Sequence, residues 1–161
     1  MAEPSVVSEA EPVSPEQLAR RAKIAALEES IAHQDPAHAL VVADVTRHYF
    51  ASGVYCREAR IPAGATVVGK IHRTQHLAIL LKGRVAIATE GQAEPEIFDA
   101  PRIMVAPAGI KRVAHALTDT IWLAFHAVDE ERDLAKIEQR FIAPTWEALE
   151  DPEPQHVLEA S

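Results

Sequence analysis

The chain has 161 residues, of which 48% are hydrophobic and 25% are charged. These values sit near globular averages, which excludes a wholly disordered chain, and the length suits one domain. No apolar run reaches the roughly 18 residues of a membrane span, and the N-terminus MAEPSVVSEAEPVSPEQ lacks the basic and apolar regions of a secretory signal.

A formal net charge of -8 argues against nucleic acid as a partner. The charge is unevenly spread. Residues 1–40 hold seven acids and three bases, residues 41–128 seven acids and ten bases, and residues 145–161 five acids and no base. The ends are acidic and the middle is mildly basic.

Residues 1–14 are rich in Pro, Glu and Ser and read as a flexible acidic arm. A helix is predicted over 15–34. Ser14 caps it, Pro15 takes the first helical position, and Gln17 completes a capping box. Its large apolar residues Ile24, Leu27 and Ile31 form one stripe, available to a domain face or a partner chain. Asp35-Pro36 is expected to stop it.

From 46 to 128 the texture becomes β-like. Short runs such as VYCREARI, HLAILL, RVAIAT and TIWLAFHAV alternate with Gly and Pro, which indicates about eight strands of a sandwich or barrel. The single Cys56 reads as a small buried thiol, and a lone cysteine fits a reducing compartment. A second helix is predicted over 129–143, capped by Asp129, with Leu134, Ile137 and Phe141 on one face. Residues 144–161 read as an acidic tail.

The histidines are the dense reactive set. His72 and His76 form H-x-x-x-H, but Arg73 stands where a zinc protease needs a general-base Glu, and the surroundings favour strand. In an extended context, 70, 72 and 76 share a parity and line one face.

The segment Gly64, five residues, Lys70-Ile71-His72, three residues, His76, six residues, Gly83 resembles the first cupin motif, G-x5-H-x-H-x3-4-E-x6-G. Pro107-Ala108-Gly109-Ile110-Lys111-Arg112 resembles the P-x-G-x-x-H core of the second. The stretch Thr46 to Val128 is also similar to bacteriophage-encoded cupin-like proteins. The resemblance implies a mainly β fold: a cupin-type jelly-roll β-barrel, here flanked by the N- and C-terminal helices. It further implies a homo-oligomer.

Cupin enzymes bind a metal through two motif-one His, a Glu and the motif-two His. Here Lys70, His76 and Arg112 replace three of the four, leaving His72. Lys and Arg have no lone pair to offer at neutral pH. A bulge would be needed to turn His115 inward and complete a three-His site with His72 and His76, since residues 112 and 115 otherwise face opposite ways.

Three readings follow. The first is a non-enzymatic interaction or assembly protein, phage-encoded, a virion component, with protein partners at the N-terminal arm and helix. The second is a mononuclear metalloenzyme of the dioxygenase or isomerase kind, using one divalent ion on His72, His76 and His115. The third is a metal-free binder of a small anion at Lys70, His72, His76 and Arg112, because clustered inward cations require neutralisation. The expected location is cytoplasmic or virion-associated, with no membrane or nucleic-acid partner.

Overall fold

The structure, a computed structural model, describes residues 12–33 and 46–149. The acidic arm up to residue 11, the Asp35-Pro36 stop and the tail from residue 150 lie outside the described residues.

Helix α1 spans Pro15–Ala32, and its capping box forms as the sequence requires: the Gln17 N–H donates to Ser14 Oγ at 3.2 Å, and the Ser14 N–H to Gln17 Oε1 at 2.9 Å. Such a cap contributes about 1 kcal/mol. Of the apolar stripe, Ile24 is buried against the sheets, Ile31 is half-buried and Leu27 stays exposed. Polar contacts hold the helix down. Arg20 donates to the Glu90 carbonyl at 3.2 Å, Arg21 lies 3.8 Å from the Glu90 carboxylate, and Glu28 pairs with buried Lys111.

Eleven strands follow among the described residues: β1 Thr46–Ala51, β2 Val54–Ile61, β3 Thr66–Val68, β4 Ile71–His72, β5 His76–Lys82, β6 Arg84–Thr89, β7 Glu96–Asp99, β8 Arg102–Ala106, β9 Arg112–Ala116, β10 Thr120–Ala127 and β11 Ile142–Ala143. They make antiparallel sheets ordered β1-β2-β10-β5-β8 and β3-β9-β6-β7, with β4 paired to β11. The two large sheets face each other. Leu80 of β5 and Trp122 of β10 pack against Val85 and Ile87 of β6 in one core cluster, and Ile61 of β2 against Val67 and Ala116 in another. The mainly β, jelly-roll-like architecture is as expected, but neither sheet closes on itself. Their edge strands do not pair across, so the jelly roll takes the form of two facing sheets.

The β5–β6 turn depends on Gly83. Its φ is +96°, and a Cβ there would lie 2.5 Å from the Asp119 carbonyl oxygen, so neither the dihedral nor the space admits a side chain.

Helix α2 covers Leu134–Phe141 and packs Ile137 and Phe141 on Tyr55 and Val128. It starts later than the sequence suggested. Asp129 Oδ1 accepts from the Glu131 N–H, and Glu131 Oε1 from the N–H groups of Arg132 and Asp133, so local side-chain bonds hold this stretch outside the helix. Asp133 becomes the cap and accepts from Ala135 and Lys136. Residues 142–143, predicted to end the helix, pair with β4 instead. No described helix is long and apolar enough to cross a membrane.

The outer face of the five-stranded sheet is strongly apolar. Register places Cys56, Phe125, Leu77 and Val105 in one row, with Leu123, Ile79 and Ile103 in the next. Leu77, Leu81, Val105 and Ile103 are 52%, 53%, 64% and 73% exposed, values that make this a patch rather than scattered surface residues.

Candidate functional site

Between the two sheets lies a cavity of about 120 Å³. Its wall is largely apolar, with Ala59, Ile61, Val67, Ile87 and Trp122, and its polar groups are Arg57, Lys70, His72, His76 and Arg112. No Asp or Glu is among the lining residues.

Backbone hydrogen bonds fix the site. The Gly109 N–H donates to the His72 carbonyl at 2.8 Å, and the Gly69 N–H to the Arg112 carbonyl at 2.8 Å, so the two turns resembling cupin motifs hold each other. The Arg73 N–H donates to the Phe141 carbonyl at 2.8 Å, and its guanidinium to the carbonyls of Ile142 and Ala148 at 3.3 and 2.8 Å. The residue that excluded the protease reading thus straps the end of α2 beside His72.

His72 on β4, His76 at the start of β5 and His126 near the end of β10 converge. Their rings lie 4.1 Å (72–76), 5.0 Å (72–126) and 4.8 Å (76–126) apart between centroids. One nitrogen from each comes within 4.8 Å of the others. His76 and His126 are buried, and Tyr55 and Phe141 pack on the His126 ring.

Burial lowers the pKa of all three. His72 falls to about 2, through burial first and then the nearby His76, His126, Arg57 and Arg112. His126 falls to about 4, through burial, His76 and Arg57. His76 is lowered by burial and Arg112, partly opposed by the Thr74 backbone. All three are therefore neutral at pH 7, the state in which imidazole ligates a metal.

Their Nδ1 atoms are all buried without a hydrogen-bond partner. An unsatisfied buried polar atom costs about 1–3 kcal/mol, and three on neighbouring rings make an unusual concentration. Neutral imidazoles with unmet polar atoms fit a divalent transition ion. A tetrahedral ion would draw its ligands to about 3.4 Å separation, given metal–nitrogen bonds near 2.0–2.1 Å.

The structure brings together two members of the expected three-His set but not the third. His115 lies on the opposite face of β9, where its Nδ1 is 2.8 Å from the hydroxyl of Thr66, its cross-strand neighbour. Strand β9 runs in unbroken register with β3 and β6, so no bulge turns His115 inward. His126 takes its place. It shares a parity with Trp122 and Ala124, and that alternation was the available signal.

Of the expected cations, Arg112 lines the cavity, and burial lowers its pKa, with Glu90 opposing. Lys70 also lines the cavity but is 41% exposed, with its ammonium 3.6 Å from Glu138. Arg57, which the sequence did not single out, lines the cavity from β2.

No family model and no curated protein matches the chain. Solved structures similar to it include a cupin-2 domain containing protein from Shewanella frigidimarina, at 14% identity over 52% of this chain and 79% of that one, with a TM-score of 0.42. An RmlC-like cupin family protein with a double-stranded β-helix fold from Methanocaldococcus jannaschii shares 18% identity over 52% and 78%, with a TM-score of 0.44. KdgF from a Halomonas species shares 16% over 56% and 81%, also at 0.44. The first two of these structural neighbours are described as cupin-family proteins.

Proposed function

We propose that the protein is a mononuclear metal-dependent enzyme of the cupin type, holding one divalent transition ion on His72, His76 and His126 and acting on a small molecule in the adjoining cavity. The observation that carries this reading is the convergence of three neutral imidazoles whose buried Nδ1 atoms lack any partner. When bound, such an ion supplies Lewis-acid polarisation of an oxygen donor or activation of water. The chain's own residues do the rest. His72, His76 and His126 bring no charge to the ion, so its full positive charge faces the cavity, and three protein ligands leave positions open for a ligand. Ile87, Val67 and Trp122 exclude bulk water from that side. The dioxygenase or isomerase kind expected from the sequence remains the class we favour.

The test is metal content by elemental analysis after growth in medium supplemented with iron, manganese, nickel and zinc. About one ion per chain is expected, as a working three-ligand site should fill. Less than about a tenth would overturn the reading. The assembly and virion role rested on the replacement of cupin ligands by Lys70, His76 and Arg112 and on the two arms, most of which lie outside the described residues.

For the expected homo-oligomer, we propose the apolar outer face of the five-stranded sheet as the contact between two copies, in place of the α1 stripe. Its one carboxylate, Glu58, is buried and already satisfied by Arg60 and the Tyr49 hydroxyl. Two copies related by a two-fold axis can therefore meet through Leu77, Ile79, Ile103 and Val105, with the cations Arg47 and Lys82 left at the margins of the face. Light scattering should give a dimer mass for the wild type and a monomer for Ile103→Asp/Val105→Asp. A monomeric wild type, or an unchanged mass in the variant, refutes the contact.

A further inference from the structure

Among the described residues, each arginine or lysine falls into one of three groups. Some are exposed at the surface, such as Lys23, Arg47 and Lys82. Others have an acidic or carbonyl partner: Arg21 with Glu90, Lys111 with Glu28, Lys70 with Glu138, Arg20 and Arg73 with backbone carbonyls. Arg57 and Arg112 form the third. Both are half-buried, neither has an ion pair or hydrogen bond among the described residues, and both line the same cavity. They approach from opposite sheets, Arg57 on β2 and Arg112 on β9.

Two half-buried guanidiniums with no carboxylate in direct contact are costly; Glu90 acts on Arg112 only beyond ion-pair distance, and it already pairs with Arg21. Each offers a planar fork of N–H donors that matches a carboxylate. Lys70 is exposed and has Glu138 at 3.6 Å, and no acid lines the wall, so the cavity keeps the charge of two arginines that have no ion pair. The rest of the wall, with Ile61, Ile87 and Trp122, suits a carbon skeleton better than a fully hydrated inorganic ion.

We propose that the cavity binds a small organic carboxylate, with Arg57 and Arg112 gripping its carboxylate oxygens and the remainder of the molecule turned toward His72, His76 and His126. This deepens the proposed function and rests on it for the group that faces the histidines. It names a substrate class, and it assigns the grip to Arg57 and Arg112 rather than to Lys70.

The experiment is calorimetric titration of the full chain with propionate, succinate and inorganic phosphate, in metal-free protein and in protein loaded with one divalent ion. The wild type should bind a carboxylate probe in the metal-free state already, and tighter when loaded. Arg112→Met and Arg57→Met should each weaken that binding at least about tenfold, the size of a lost charge-assisted contact, while metal content stays at the wild-type level. Methionine removes an unpaired charge at similar volume, so both variants should stay folded. Arg112→Lys, which keeps the charge but loses the fork, should also bind more weakly, separating the bidentate grip from charge alone. Carboxylate binding unchanged in both methionine variants overturns the proposal, as does no carboxylate binding in either metal state. Phosphate binding as tight as the carboxylates removes the assigned class. If metal content is absent while the arginine-dependent carboxylate response persists, the metal reading alone fails.

Discussion

Replacing His126 by Ala is expected to lower divalent-metal affinity by about a hundredfold or more, the effect of removing one of three ligands. Competition against a chromophoric chelator reads this directly. His72→Ala and His76→Ala should behave alike, whereas His115→Ala should leave affinity within about twofold, because its imidazole faces Thr66 on the far side of β9. The stability of the metal-free protein should move the other way. His126 carries a buried Nδ1 without a partner, between the rings of Tyr55 and Phe141. His126→Leu keeps much of the volume and removes that atom, so it should stabilise the metal-free fold by about 1–3 kcal/mol. Binding and stability then pull apart at one residue, which a purely structural histidine would not show. If His126→Leu destabilised the fold and left metal affinity intact, His126 would be a packing residue.

The sequence was most legible where the signal is local. The capping box of Ser14 and Gln17 forms because its partners lie three residues apart. Gly83 sits in its turn because no other residue fits both the dihedral and the Asp119 carbonyl. The pairing of Gly64–Gly83 with Pro107–Arg112 also survived, since the two turns bond through Gly69 and Gly109. Strand parity alone placed His115 opposite Arg112, and bringing it inward required a bulge that the strand does not contain.

The missed residues depend on long-range register. His126 stands 50 residues beyond His76, and only the pairing of β10 with β5 brings them together. It ends its apolar run, where a histidine is ordinarily solvent-facing, although its parity with Ala124 points inward. Arg57 is masked differently. A charged residue in a β run reads as solvent-facing, yet it alternates with Tyr55, Ala59 and Ile61, all of which point between the sheets. A polar residue on an otherwise apolar parity marks a site more sharply than its own residue type does. The late start of α2 is again local but competitive: Asp129 and Glu131 spend their carboxylates on nearby N–H groups, and Asp133 is the next acid free to cap.

Acid should unfold the metal-free protein over an unusually wide range. Unfolded histidine titrates near pH 6.5, whereas folded His72 and His126 hold out to about 2 and about 4. Below pH 6.5 the unfolded chain therefore binds protons that the folded chain refuses, and stability must fall as pH falls. Above pH 6.5 both states are neutral at these groups and the effect vanishes. Between about pH 6 and pH 4 the two histidines together tilt the balance by about 2 kcal/mol per pH unit or slightly more, and His76, lowered in the same direction, adds to it. Urea unfolding at pH 7, 6, 5 and 4 measures the slope, and a flat profile would show that the cluster is not buried in solution. The same shifts make an opposite prediction for the folded protein's metal affinity. Since protons do not compete for His72 or His126 until near pH 4, affinity measured by chelator competition should fall far less from pH 7 to 5 than for three ordinary imidazoles. Three imidazoles with ordinary pKa values would each lose roughly 30-fold of ligating form by pH 5. The site should therefore keep its ion under acid conditions that weaken the fold around it.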